Sequence, residues 1–204
     1  MLFQIEQSVL QVQKIIQQNK ILKENNQPPI SIISISCGFD CLPDYKKNGA
    51  KLSKIIQLAK DEGIAVITCE DKSAYRIYPV NANPSGDINS SQDYRIWDAF
   101  KDDDEYYKDE EILDQTLLIP GQHRTTAGMH NDYRYDGSVG GGQSWTIPYL
   151  AGVFAQAKQV RPDITFDEFY KIALETADKC YNYDDKRYIG KLINPVKIIQ
   201  AIKL

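Results

Sequence analysis

Two short apolar runs limit the folds open to this chain. Ile30-Ser31-Ile32-Ile33-Ser34-Ile35-Ser36 follows the breaker Asn25-Asn26-Gln27-Pro28-Pro29. Ile64-Ala65-Val66-Ile67-Thr68-Cys69 follows Gly63. Both runs are rich in β-branched residues, carry no charge and are bounded by turn residues, so they read as buried strands. A helical pattern precedes each one. Over residues 8 to 24, Val9, Val12, Ile15, Ile16 and Leu22 fall on one face. From about Ala50 to Asp61, Leu52, Ile55, Ile56 and Ala59 do the same, and Gly63 is a natural stop. Helix, strand, helix and strand at this spacing predict an α/β fold with a parallel sheet.

The rest of the chain is less regular. Residues 71 to 116 hold turn chemistry at Asn83-Pro84-Ser85-Gly86-Asp87 and acidic runs at Lys101-Asp102-Asp103-Asp104-Glu105 and Lys108-Asp109-Glu110-Glu111. Residues 82–116 read as an acidic surface insertion. Calcium binding is the alternative, but no Gly sits where an EF-hand loop needs one. Leu117-Leu118-Ile119-Pro120 reads as a short strand, and Tyr133 to Tyr135 as a further candidate. A helix is expected from about Ser144 to Val160. Thr165-Phe166-Asp167-Glu168 has the capping-box pattern that opens another. Asn194-Pro195 suits the cap and first turn of a closing helix.

Composition narrows the function classes. The chain has 204 residues, a formal net charge of -4 and no clustered Lys and Arg, which argues against a nucleic-acid partner. No apolar run approaches the roughly 20 residues that span a membrane. The N-terminus lacks the basic and apolar regions of a signal peptide, so the expected location is cytoplasmic. Cys37, Cys41, Cys69 and Cys180, with His123 and His130, show no zinc spacing, and the thiols read as reduced.

Gly140-Gly141-Gly142-Gln143-Ser144 stands out. Glycines admit positive φ and close backbone approach. A Ser at a helix N-terminus has its hydroxyl among N–H groups that favour developing negative charge. Pro148 is expected in the first turn, where a missing N–H costs little. Two readings stay open on these residues: a helix-capping Ser after a Gly-rich loop, and a nucleophile whose own N–H helps bind an oxyanion. A nucleophile elbow would need Gly where Thr146 stands, and a phosphate-binding loop would need Lys where Gln143 stands.

Gly142-Gln143-Ser144-Trp145-Thr146-Ile147-Pro148-Tyr149-Leu150-Ala151-Gly152 resembles the serine signature of the subtilisin-like proteases, the subtilases. Gly142, Ser144, Pro148, Ala151 and Gly152 match it. Gln143, Trp145, Thr146 and Tyr149 depart. Ile32 to Gly38 resembles the family strand ending in Ser-x-Gly. Gly63 to Cys69 resembles the next strand, and Tyr188 to Pro195 the turn before the closing helix. Leu118-Ile119-Pro120 followed by Arg124-Thr125-Thr126-Ala127 resembles a divergent Gram-positive branch.

The resemblance implies a three-layer α/β fold with a mostly parallel sheet. Residues 1–204 would be the C-terminal part of one catalytic domain, truncated at its N-terminus. It implies a serine endopeptidase with Ser144 as nucleophile and backbone oxyanion donor. Ser36, Cys37, Gly38 and Gly142 would bind a peptide or protein substrate, and no cofactor is needed. Asp71 stands nearest the family's second oxyanion donor, an Asn. The family places the triad Asp and His before the first helix of this chain, where neither motif occurs; His123 and His130 fall at the wrong point in the order, and a rearranged dyad or triad with the nearby Asp132 and Asp136 is conceivable but is not what the family pattern supports. Two expectations follow: an enzyme part inactive alone, completed by a missing N-terminal segment or another chain, or a non-catalytic peptide-binding protein of subtilase descent.

Overall fold

The computed structural model describes residues 5–39, 42–69, 75–84, 94–97, 110–122, 124–127, 135–138, 142–181 and 186–203. Contacts divide the chain into two compact units, Met1–Ser73 and Ala74–Leu204.

In the first unit, helix α1 (Ile5–Glu24) packs on α2 (Tyr45–Asp61), and strands β1 (Ile32–Ile35) and β2 (Ala65–Thr68) pair in parallel. The parallel pairing is the one the alternation predicts. The buried stripe of α1 is Ile5, Ser8, Val12, Ile16 and Asn19, and Val9, Ile15 and Leu22 are only half-buried. Asn19 belongs inside because its Oδ1 accepts the Ile30 N–H at 2.7 Å, satisfying the chain as it enters β1. Helix α2 begins five residues earlier than the sequence suggests. Asp44 takes the position before its first turn, and Asp44 Oδ2 accepts both the Ile5 N–H and the Asn48 side-chain amide. Gly63, at φ +80°, ends α2 as expected.

Strand β1 departs from the buried strand expected. Ser34 is exposed and its neighbours are half-buried. Among the described residues β1 pairs on one edge only, with β2. Ile33 and Ile35 line an open apolar groove of about 490 Å³ with Leu10, Val12 and Ile15 of α1.

The second unit is built on a five-stranded sheet of order β4-β3-β5-β9-β8. Its strands are β3 (Ile77–Pro84), β4 (Tyr94–Trp97), β5 (Leu117–Gln122), β8 (Asp178–Tyr181) and β9 (Tyr188–Leu192). The three central strands run parallel, and β4 and β8 are antiparallel edges. A separate antiparallel pair joins β6 (Arg124–Ala127) to β7 (Tyr135–Ser138). The helices are α3 (Glu110–Asp114), α4 (Gln143–Val160), α5 (Phe166–Thr176) and α6 (Pro195–Ile202).

Strand β5 is buried on both faces from Leu117 to Ile119, in keeping with its apolar start. Leu118 packs with Val80, Cys180 and Ile189 on one side. The neighbouring Leu117 and Ile119 are fully buried as well, and α4 packs on β3 and β5. Phe154 of α4 meets Phe166 and Phe169 of α5 with ring centroids 5.1 Å apart in each pair. The capping box at Thr165 and Glu168 forms as its sequence predicts, and Asn194 Oδ1 caps α6 by accepting from the Lys197 N–H. Residues 85–93 and 98–109 of the acidic stretch lie outside the described residues. Among the described residues no helix is long and apolar enough to cross a membrane.

Candidate active site at the start of helix α4

Ser144 is the second residue of α4 and is exposed. Its N–H therefore lies in the first turn, where no carbonyl four residues back exists within the helix. Gly142 precedes the helix at φ +151°, ψ -165°. That is a backbone region open essentially to Gly alone. The glycine directs the chain into the helix.

Several contacts hold this entry. The Gly142 N–H donates to the Gly121 carbonyl at 3.3 Å, and the Gly142 carbonyl accepts from the Trp145 N–H at 3.1 Å. The Gln143 side-chain amide donates to the Ile77 carbonyl at 3.2 Å, tying the turn to β3. Thr146 is fully buried and its hydroxyl donates to the Gln143 carbonyl at 2.7 Å. Gly121, at the end of β5, leaves just enough room, because a Cβ there would stand 2.9 Å from the Gly142 carbonyl oxygen and 3.0 Å from the Pro79 Cβ. Sequence reasoning passed over Gly121, Gln143 and Thr146 as parts of the site. The Pro-Gly pair at the end of the β5 run was the one available signal for Gly121.

The place of Pro148 corrects the sequence expectation. Helix α4 begins at Gln143, so Pro148 is its sixth residue and lies inside the helix. An N–H there would bond the Ser144 carbonyl, and proline supplies none.

Ser36, Cys37 and Gly38 lie in the first unit, directly after β1. The Cys37 N–H turns back to the Ile35 carbonyl at 2.8 Å, and the Cys37 carbonyl accepts from the Cys69 N–H at 3.1 Å. The Cys37 thiol donates to the Gly38 carbonyl at 3.2 Å. Cys37 thus spends its main-chain donor and acceptor within the fold. Asp71, His123, His130 and Asp132 lie outside the described residues, and Asp136 is described only as the partner of Thr126 in the β6–β7 ladder.

Two tyrosines of the second unit have raised pKa values. Burial, followed by the hydrogen bond to Asp167, raises the Tyr75 pKa well above the usual phenol range. Burial also raises Tyr170, whose hydroxyl sits 2.7 Å from the Arg76 carbonyl and 3.2 Å from that of Gln115. Among the described residues, no group of three or more His, Cys, Asp and Glu could hold a metal ion.

Comparison of the folds gives the context for this turn. The prenylagaramide maturation protease PagA superposes with a TM-score of 0.51 at 18% identity, over 94% of this chain and 67% of that one. The self-cleaved protease domain of PatA superposes at 0.50 and 16% identity, over 93% and 67%. A mutant of the same PatA domain gives 0.51 and 15%, over 93% and 64%. The fold is the α/β fold of subtilisin-like proteases. The chain spans about two thirds of the length of these solved structures. No protein-family model and no curated protein matches the sequence.

Proposed function

We propose that this chain carries the serine-bearing part of a subtilisin-like peptidase site, with Ser144 as nucleophile and peptides as ligands. The observation that carries the reading is the entry to α4. An exposed Ser follows a Gly in a conformation no other residue adopts cheaply, at the end of a helix whose first-turn N–H groups favour an oxyanion. A capping Ser alone would not need this clamp. In the first unit, taken by itself, Ser36 to Gly38 are proposed to pair with a peptide by strand addition. Pairing through the Cys37 N–H must displace its bond to the Ile35 carbonyl.

The sequence order places neither His123 nor His130 as the base. Loss of the base alone costs about 10⁶-fold in kcat where it has been removed from a Ser-His-Asp triad. The 204 residues by themselves therefore bind peptide and cleave it poorly. The sequence order favours the second reading, a peptide-binding protein without turnover.

A peptide boronic acid in excess buffer base tests the site, since its boron accepts the serine oxygen and becomes a tetrahedral boronate while the hydroxyl proton passes to the buffer. The expected result is a tetrahedral boron resonance with the wild-type chain and none with Ser144→Ala. Absence of the adduct in the wild type would overturn the assignment of Ser144. Rapid casein cleavage that depends on Ser144 would overturn the claim that the chain alone turns over poorly.

A further inference from the structure

The exposed face of α4 beside Ser144 is built unlike a solvated helix face. Ser144, Trp145 and Pro148 are exposed and Tyr149 is half-buried, whereas Thr146, Ile147 and Leu150 are buried. At about 100° per residue, the first four occupy an arc of about 140° on one side of the helix. Trp145 keeps 46% of its surface in water. A single exposed aromatic is ordinary, but here the indole, a proline ring and a tyrosine adjoin one another.

Charge supplies a second observation. The first charged residue of α4 is Lys158, so residues 143–157 carry none. Helix α2, of similar length, carries Lys46, Lys47, Lys51, Lys54, Lys60 and Asp61. Helical side chains lean toward the N-terminus, which brings the rings at 148 and 149 toward Ser144. The uncharged, partly aromatic surface is thus continuous with the serine.

We infer that Trp145 determines specificity at this site by packing against a bulky apolar side chain, aromatic or branched aliphatic, of the peptide held at Ser144. The inference rests on the reading of Ser144 as a peptide site and adds the class of peptide. Among the described residues of α4, this face offers a charged peptide side chain no partner and strips part of its water. A flat indole gives an apolar side chain broad contact at little entropic cost.

The test uses the full chain with Trp97→Phe, which leaves Trp145 as the sole tryptophan because the sequence has two. Two decapeptides differing only in Phe-Phe or Gly-Gly at the centre are titrated. Indole emission should shift to the blue with the Phe peptide. Trp145→Ala should raise its Kd about tenfold or more, leave the Gly peptide unchanged, and be partly rescued by Trp145→Phe. An unchanged Kd for the Phe peptide in Trp145→Ala overturns the inference. If the boronate adduct at Ser144 still forms, only this inference falls. If it does not, the site reading falls and takes this one with it. Emission that shifts with protein concentration alone would show a second copy of the chain on this face and would also overturn it.

Discussion

Gly121 and Gly142 meet backbone to backbone: the Gly142 N–H donates to the Gly121 carbonyl at 3.3 Å, and a Cβ on Gly121 would come within 2.9 Å of the Gly142 carbonyl oxygen. The obstacles are main chain and a proline ring, neither of which can rotate away. Gly121→Ala is expected to cost about 1–3 kcal/mol by overpacking, read as a lower urea midpoint, and to weaken the boronate adduct as the first turn of α4 shifts. A variant with wild-type stability and wild-type adduct would show that this approach is looser than drawn.

Gly142 fails for a different reason. Nothing lies within 4 Å of a Cβ placed there, so space is not the obstacle. The cost is conformational, about 1–3 kcal/mol for a residue forced into that region. Gly142→Ala should destabilise the protein. Gly142→D-Ala, made by semisynthesis, should restore most of the stability, because a D-residue accepts positive φ. Equal loss with both enantiomers would point to sterics and refute the explanation.

Alkaline pH should expose the buried tyrosines. Tyr75 and Tyr170 have pKa values raised above the unfolded value, chiefly by burial. Their protonated forms are favoured in the folded state. The stability they contribute is complete below the unfolded phenol pKa of about 10 and is lost as pH rises beyond it toward the folded values. Denaturation midpoints followed from pH 9 to 11.5 should fall, and Tyr75→Phe should fall less steeply. A slope identical in both proteins would rule Tyr75 out as a source.

Acid should act at the start of α5. The Glu168 carboxyl accepts from the Thr165 N–H at 2.9 Å and from its hydroxyl, and these bonds hold its pKa below the ordinary glutamate range. A lowered folded pKa gives stability present above the unfolded value and lost as pH falls through the folded one. Thr165→Ala is expected to cost about 1 kcal/mol through loss of the cap, and Glu168→Gln should flatten the acid limb of the stability curve below about pH 4.5. Unaltered acid behaviour in Glu168→Gln would exclude the capping carboxylate.

Local chemistry that acts within a few residues was legible in the sequence. The β1–β2 pairing, the Thr165 capping box, the Asn194 cap and the Gly63 stop each depend on side chains or backbone freedom within one turn. Strands β3 and β9 were not legible. Strand β3 contains Pro79 and Pro84, which argue against a strand. Among the described residues, Pro79 faces Ile119 of β5, and the pairing with β4 begins at Asn81. Pro120 lies likewise beyond the part of β5 that pairs with β9. The burial of Asn19 was not legible for a related reason, since its partner Ile30 lies 11 residues away. At the proposed site, Ser144 and Gly142 stand out in the sequence because the motif is contiguous. Gly121 and the Ile77 carbonyl were missed because only folding brings them to it.

Pro148 leaves the turn bearing Ser144 without one of the bonds that would tie it to the helix behind it, while Gly121 and Ile77 tie it to the strands. Mechanically, that turn is a fitting of the sheet with the helix attached below it. Its aim can therefore be retuned by altering β3 or β5, leaving the long helix to keep its place in the core.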